Sequence, residues 1–204
     1  HQGNSHECVA HASVQNAMIA RNRQFNGLSQ DVWFSPLALY TRVTNGRQWG
    51  GSNVLDTMYE MIENGLIPDH DGPGGKNSQQ KLFDHTLHET SGRTEDWWPT
   101  SGWVNPSELP DGWKETAKHF RPLEVYTIPH GSREAHASVL LRGWCCTNGR
   151  SGHSIAHVKL VKEGGRYLSR YKDSYGPGSF RYDSEKLWGG GFVIRSMTMW
   201  DKDK

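Results

Sequence analysis

A cysteine at the start of an apolar run is the feature that most constrains this chain. Cys8 is followed, from position 9 to position 19, mainly by small and apolar residues, a pattern typical of a buried helix. In the first turn of a helix, the backbone N–H groups and the helix dipole favour a thiolate over a thiol. Gln2 adds a side-chain amide donor close by in sequence. This combination indicates acyl transfer through a thioester, although a lone cysteine in a core helix more often serves only in packing.

A histidine and an aspartate in the second half of the chain can complete such a site. His153 begins an alternating apolar segment, and Asp173 follows the next one, with the turn sequence Glu163–Gly165 between the two segments. Two strands joined by a tight turn bring His153 and Asp173 close together across the ladder. We therefore expect these two side chains to be neighbours.

The order of the predicted elements divides the chain into two parts. Helical patterns dominate residues 1–110, which end in a long excursion rich in tryptophan and turn residues, and strand patterns dominate residues 111–204. The predicted elements are helices from Cys8, through Leu37–Tyr40 and over Leu55–Ile62, a helix over Arg133–Arg142, and strands over Leu123–Ile128, Trp144–Thr147, Ser154–Val161, Arg166–Lys172 and Gly191–Met197. This pattern predicts an α+β protein, either one domain or two lobes that share a cleft.

Several short motifs occur in the order of one known family. They are Gln2-Gly3, the Cys8 helix, Leu28-Ser29, Gly50-Gly51, Asn64–Ile67, Gly152-His153, Asp173–Gly176 and Gly191–Ile194. His153 also follows Cys8 by 145 residues, a separation found between the catalytic Cys and His of papain-like enzymes. The chain resembles a papain-like cysteine peptidase of a divergent bacterial or viral branch. The resemblance implies a two-lobed α+β fold, with a helical left lobe, an antiparallel β-barrel-like right lobe, and the active site in the cleft between them.

The resemblance also implies a role for each residue of the site. Cys8 attacks a peptide carbonyl, and His153 takes up the thiol proton and later protonates the leaving amine. Asp173 orients His153, and the Gln2 side chain binds the oxyanion together with the Cys8 backbone N–H. The implied catalytic residues are therefore Cys8, His153, Asp173 and Gln2. The implied substrate-binding residues are Gly50 and Gly51, whose backbone pairs with an extended substrate, Gly152, and Tyr175, which shields Asp173 from water.

The site departs from the family pattern, chiefly in its charges. Glu7 places a carboxylate next to the nucleophile, which opposes thiolate formation. Asp173 stands where the family usually has asparagine, and Tyr175 stands where it usually has tryptophan. Ser5 replaces a cysteine of the family's common left-lobe disulfide, and the other two cysteines of the chain are adjacent, so no disulfide framework is expected. This favours an intracellular or virion-associated protein over a secreted one.

The balance of charges limits the classes of partner that are expected for this chain. The chain has 23 basic and 22 acidic residues and a net charge of +1, which gives no electrostatic reason to expect nucleic acid or a membrane surface. No apolar run approaches the length of a membrane span. No set of histidines and cysteines has structural zinc spacing, so neither a metal nor another cofactor is expected. The expected partner is a peptide or protein substrate, and the chain can belong to a larger polypeptide or assembly.

Two other functions are compatible with the same motifs. One is a papain-like domain without catalysis, kept as a structural or binding module of a larger assembly, which Glu7 motivates. The other is a Cys-His amidase or transamidase that uses the same nucleophile chemistry. The complete set of Cys8, His153 and Gln2 argues against the first function, and the Gly50-Gly51 pair favours a peptidase over the second.

Overall fold

The computed structural model describes residues 6–25, 34–47, 51–68, 106–109, 112–150, 152–174 and 182–198, apart from the side chains of 182–184. In chain order these ranges contain helices α1 Cys8–Gln24, α2 Pro36–Thr44, α3 Val54–Asn64 and α4 Trp113–Ala117, strand β1 Pro122–Thr127, helix α5 Arg133–Leu141, and strands β2 Cys146–Arg150, β3 His153–Glu163, β4 Arg166–Lys172, β5 Tyr182–Lys186 and β6 Phe192–Met197. Short 3-10 turns cover Pro106–Glu108 and Lys118–Phe120. None of the helices in these ranges is long and apolar enough to cross a lipid bilayer. The predicted α+β class is confirmed.

Helices α2 and α3 begin where a side chain caps them. The Ser35 hydroxyl accepts a hydrogen bond of 3.1 Å from the backbone N–H of Ala38, and the Asn53 side chain accepts one of 2.7 Å from the N–H of Asp56. Helix α3 ends at Gly65, which has a φ of 79°, a conformation that glycine adopts without a steric penalty. The predicted start and end of α3 are therefore confirmed.

The apolar residues of α3 lie on two different faces of the helix. Met58 and Met61 are only 1% and 0% exposed and belong to the main core. Leu55, Tyr59 and Ile62, which the spacing groups with Met58, are 46%, 61% and 39% exposed. The helix therefore packs through Met58 and Met61 and not through the whole set of apolar residues at helical spacing. Spacing alone cannot tell which apolar positions contact a neighbouring element.

The second half of the chain forms one antiparallel sheet of six strands in the order β1-β6-β2-β3-β4-β5. Strands β3 and β4 form the predicted hairpin, whose turn residues Gly164 and Gly165 have φ values of 54° and 77°. Tight two-residue turns with the twist of a hairpin require such positive φ values. The register that follows from this turn brings the start of β3 next to the end of β4.

The sheet is open, with β1 at one end of the strand order and β5 at the other. The expected barrel-like closure of the right lobe is therefore absent from the described strands. Strand β5 was not predicted, because its sequence Tyr-Asp-Ser-Glu-Lys lacks the alternating apolar residues that identify a strand. Among the described strands, β5 pairs only with β4 and lies at one edge of the sheet.

Helix α1 crosses the sheet and is held there by two side-chain amides. Asn16 is fully buried, and it donates to the carbonyl oxygen of Phe192 at 3.0 Å and accepts from the N–H of Ile194 at 3.2 Å. Two turns later, Gln24 makes the same pair of bonds with the carbonyl oxygen and N–H of Met197, at 3.0 and 2.8 Å. Each amide thus pairs with the backbone of β6 as a neighbouring strand would. The position of α1 along β6 is therefore fixed.

One apolar core joins the helices to the sheet. It contains Val14 and Ala17 of α1, Tyr40 of α2, Met61 of α3 and Ile194 of β6, among other buried side chains. The helical part and the strand part are thus packed against each other through shared side chains. The predicted boundary near residue 110 stays a prediction, and most of the tryptophan-rich excursion before it lies outside the described residues.

A pair of buried histidines lies between α5 and the sheet. His136 is 0% exposed, and neither of its ring nitrogens has a hydrogen-bond partner in the described part of the chain. His157 lies with Nδ1 2.8 Å from Ser169 Oγ and Nε2 3.5 Å from Glu185 Oε1. The two imidazole rings meet edge to face at 4.7 Å between centroids. Burial lowers the pKa of His136 to about 4 and the pKa of His157 to about 3, and the charges of His136 and Arg150 contribute to the second shift.

Acid should destabilise the protein through this histidine pair. Their ordinary pKa is 6.5, so the unfolded chain takes up protons below that pH while the folded chain stays neutral until about pH 4 or 3. Stability should therefore be complete above about pH 6.5 and fall toward pH 4. His136→Phe removes one titrating group and should make this decline shallower by up to about 1.4 kcal/mol per pH unit. Urea unfolding at a series of pH values measures the slope.

His119→Gln is the comparison variant for this experiment, because it removes an exposed histidine instead of a buried one. If His136→Phe and the unmodified chain had equal slopes, the folded protein would already carry a proton on His136, and the proposed cause of acid lability would be wrong.

Candidate active site

Cys8 is the first residue of α1, and its side chain is partly buried. Burial raises the pKa of the Cys8 thiol, and the negative charge of Asp173 adds to the increase. The backbone N–H groups of Ser154, Val9 and Cys8 itself act in the opposite direction and lower the pKa. The start of α1 therefore stabilises a thiolate, as the sequence predicted. The pKa of Cys8 is nevertheless raised instead of lowered, because removal of the sulfur from water outweighs the effect of these N–H groups.

His153 and Asp173 are in direct contact. His153 is the first residue of β3, and Asp173 directly follows the last residue of β4. The His153 Nε2 lies 2.9 Å from the Asp173 Oδ1, and the two side chains are 14% and 21% exposed. A carboxylate at this distance fixes the orientation of the imidazole ring. The prediction that His153 and Asp173 lie next to each other across the hairpin is confirmed.

A cleft of about 420 Å³ is lined by both Cys8 and His153. One wall consists of residues 51–54, which lead into α3, and the other consists of residues around the connection between β2 and β3. Gly51 is exposed in the first wall, and a Cβ built there would meet no atom within 4 Å. The backbone at Gly51 is therefore accessible to a ligand in the cleft.

The other predicted site residues fall into two groups. Gly152 lines the cleft and has a φ of 73°, which the connection between β2 and β3 requires. Gln2, Gly50 and Tyr175 lie outside the described residues, so the roles assigned to them stay predictions.

Glu7 is fully buried directly before the nucleophile. Its Oε2 lies 3.7 Å from Nε2 of His11, one turn further along α1. Tyr40 belongs to α2. Burial and the charges of Glu7 and Cys8 raise the pKa of Tyr40 to about 12. A protonated His11 would balance the Glu7 charge, which the sequence predicted to oppose thiolate formation at Cys8.

Two contributions to the cleft were not identified from the sequence. Arg150 lines the cleft opposite His153 in the β2–β3 ladder, and its Nη1 lies 2.6 Å from Glu185 Oε2. The hairpin pattern could have revealed Arg150 as a cation beside His153. The backbone N–H of Ser154, which acts on the Cys8 sulfur, has no sequence signal, because every residue except proline supplies one.

Comparison with known proteins places this geometry in a fold family. No protein-family model and no curated protein sequence matches the chain. Among solved structures, digestive procathepsin L 3 of the Tenebrio molitor larval midgut matches with a TM-score of 0.58 and 8% identity, over 97% of this chain and 65% of that chain. A structure from a study of the mite allergens Blo t 1 and Der p 1 matches with a TM-score of 0.59 and 13% identity, over 97% and 66%. The ragweed pollen cysteine protease Amb a 11, in its proform, matches with a TM-score of 0.58 and 13% identity, over 98% and 60%. The chain has a papain-like fold.

The papain-like fold is what these similarities establish. The chain spans less than two thirds of the length of each of the three matched chains, at 65%, 66% and 60%. A shared fold does not carry an activity with it, so function has to be argued from the site. The bacterial or viral branch that the sequence suggested stays a prediction.

Replacement of Asp173 by asparagine should shift the titration of the site. Asp173→Asn keeps an acceptor oxygen beside His153 but removes the negative charge that raises the pKa of Cys8. The pH profile for Cys8 alkylation should therefore move to lower pH. The rate of inactivation by a neutral alkylating agent, measured from acid to alkaline pH, gives this profile.

Glu163→Gln is the matched control, because it removes a carboxylate from the far end of the same hairpin. Its profile should coincide with that of the unmodified chain. If Asp173→Asn leaves the pH profile of Cys8 alkylation unchanged, Asp173 does not act on either Cys8 or His153.

Proposed function

We propose that the chain is a papain-like thiol peptidase that cleaves peptide bonds through Cys8, His153 and Asp173. One observation supports this most: Cys8 and His153 line the same cleft, while Asp173 binds the imidazole of His153 from behind. A nucleophile, a base and a group that orients the base are the three parts that covalent acyl transfer requires.

The contact with Asp173 supports separate proposed roles for the two ring nitrogens of His153. Because Nε2 binds Asp173, Nδ1 is the nitrogen that exchanges a proton with Cys8. As the sulfur attacks the carbonyl carbon, Nδ1 takes the thiol proton, and the C–S bond forms while the carbonyl oxygen becomes an oxyanion. His153 then gives the proton to the leaving amine, the C–N bond breaks, and a thioester remains on Cys8. Water, deprotonated by His153, hydrolyses the thioester and restores the thiol.

The raised pKa of Cys8 is compatible with this sequence of steps. A buried thiol is a poor nucleophile by itself, so its proton has to move to His153 before or during the attack. The negative charge of Asp173 stabilises the imidazolium that results. The reactive form is then a thiolate–imidazolium pair, in which the two charges offset the cost of burial for each other.

The start of α1 supplies a place for the oxyanion. The backbone N–H of Cys8 belongs to the unpaired donors of the first helical turn, where the helix dipole also favours negative charge. Gln2 is the proposed second donor, as in the family that the sequence resembles. Two donors aimed at the developing charge are the usual means of stabilising a tetrahedral intermediate.

The wall that contains Gly51 is proposed to bind the substrate backbone. Gly51 is accessible in the cleft and carries no side chain that would keep a peptide away from its N–H and C=O groups. An extended peptide can pair with such groups as a strand does. A peptide or a protein segment is therefore the proposed class of substrate.

A non-catalytic papain-like module is the second candidate function. It is favoured by the raised pKa of Cys8 together with the buried carboxylate of Glu7. In such a module the thiol would stay protonated at neutral pH, and the cleft would bind without turnover.

Covalent labelling by a peptidyl epoxide separates the two candidates. The peptidase proposal predicts that Cys8 is alkylated rapidly near neutral pH, whereas Cys145 and Cys146 are not. Those two thiols are 1% and 0% exposed, and burial raises the pKa of Cys146 to about 12. Mass spectrometry of peptides from the folded, labelled chain locates the adduct.

His153→Gln is the matched variant for the labelling, because it keeps a polar side chain at the base position but cannot take up the proton. It should lose most of the labelling while the chain stays folded. Equal labelling of all three cysteines, or labelling that does not depend on His153, would contradict the peptidase proposal and support the non-catalytic module. Hydrolysis of a mixed peptide library, followed by detection of new N-termini, tests turnover directly.

A side chain at Gly51 should impair substrate binding without affecting the fold. Gly51→Val places a branched side chain over the accessible backbone and should lower kcat/KM for peptides by about tenfold or more, since one or two lost hydrogen bonds correspond to about 1–3 kcal/mol. Gly51→Ala should have a smaller effect. Thermal unfolding of both variants should match that of the unmodified chain, because a Cβ meets no neighbour there. Unchanged kinetics for Gly51→Val would remove the substrate-binding role of this wall.

A further inference from the structure

A second cavity of about 680 Å³ lies between α5 and the end of the sheet formed by β1 and β6. It shares no lining residue with the candidate active-site cleft among those described. Its floor is apolar and includes Ile128, Val139, Val193 and the indole of Trp144. We call this cavity the arginine groove, because Arg23, Arg142 and Arg195 also line it.

The three arginines come from separate parts of the fold, and two of them contact the same aromatic ring. Arg23 belongs to the last turn of α1, Arg142 follows α5, and Arg195 belongs to β6. The guanidinium carbons of Arg23 and Arg195 lie 5.2 and 6.0 Å from the ring centre of Trp144. Such contacts orient the guanidinium groups and keep their N–H donors available at the rim.

The positive charge of the groove is only partly compensated. Arg195 lies 3.6 Å from Glu124 and donates to the Tyr126 hydroxyl at 3.3 Å. Within the described part of the chain, neither Arg23 nor Arg142 has a carboxylate within ion-pair distance, and the described lining residues include no aspartate or glutamate. An occupant with carboxylates would therefore be attracted to this site.

The combination of an apolar floor with an arginine rim identifies the class of occupant. Guanidinium groups bind carboxylates through paired hydrogen bonds, and a pocket of several hundred Å³ with aromatic walls accommodates a large apolar side chain. Nucleic acid would instead require a longer track of cations, which the balanced composition of 23 basic and 22 acidic residues does not favour. We propose that the arginine groove binds an acidic polypeptide segment of a partner protein, with one large apolar side chain on the groove floor and neighbouring carboxylates on Arg23 and Arg142.

The groove lies far enough from the candidate active site to act independently of it. Trp144 precedes β2, and Arg150 at the other end of β2 lines the active-site cleft. The six steps of extended chain from Trp144 to Arg150 span about 20 Å. A bound segment would therefore not obstruct Cys8, and the proposal stands whether or not the chain is a peptidase.

Fluorescence anisotropy with labelled peptides tests this proposal. The protein is the full chain with Cys8→Ala, so that no probe is cleaved. The main probe is a short peptide with one phenylalanine flanked by aspartate and glutamate on both sides. We expect saturable binding to this probe, at least about tenfold weaker binding when the phenylalanine is replaced by alanine, and no binding when the acids are replaced by lysine.

Three variants locate the binding on the protein. Arg142→Glu should weaken binding by about tenfold or more, because one charge-assisted contact becomes a repulsion. Ser138→Trp, at an exposed position of the groove wall, should block the floor without disturbing the core. Arg166→Glu makes the same change in net charge at an exposed position of β4 outside the groove, and it should bind like the parent.

Four outcomes would overturn the proposal. The first is that the acidic probe shows no saturable binding, and the second is that Arg142→Glu and Arg166→Glu weaken binding equally. The third is that binding persists in Ser138→Trp, and the fourth is that a single-stranded oligonucleotide binds more tightly than the peptide. The last result would replace the polypeptide by nucleic acid as the occupant.

Discussion

The docking of α1 on β6 is the contact on which the candidate site depends. Asn16 and Gln24 bind backbone groups of β6 and leave the helix no freedom to slide along the strand. Thr147 of β2 adds a hydrogen bond from its hydroxyl to the carbonyl oxygen of Ala12, at 3.1 Å. Cys8 lies eight residues before Asn16, about 12 Å along a rigid helix. The positions of Cys8 and of the strand that carries His153 are therefore set by polar contacts between elements rather than by a loop.

Burial is the main influence on the Cys8 thiol. It raises the pKa of Cys8, and the charge of the Asp173 carboxylate acts in the same direction. The same carboxylate lies 2.9 Å from Nε2 of His153, so one side chain contacts the imidazole and also acts on the sulfur. Glu7 and His11, one turn apart in α1, form a separate pair.

Local sequence signals predicted the parts of the structure that local chemistry determines. Asn53 caps α3, the Gly164-Gly165 turn sets the hairpin register, and that register brings His153 to Asp173. Features that depend on distant packing were missed. The sequence could not show which face of α3 is buried or that the sheet stays open. It also could not show that burial, which raises the pKa of Cys8, would outweigh the helix start, which lowers it. Each of these depends on which element covers a residue, and spacing within one segment does not contain that information.

The span of the α1 contacts in sequence also has a consequence for how the chain folds. Asn16 binds a residue 178 positions away, and Gln24 binds one 173 positions away. Helix α1 therefore cannot reach its final place until β6, more than 170 residues later in the chain, has been synthesised. Contacts of such high sequence separation slow folding, and they leave the apolar face of α1 exposed in the meantime. The candidate site is thereby tied to completion of the fold, since a partly made chain would carry Cys8 without the strands that position His153 and Asp173.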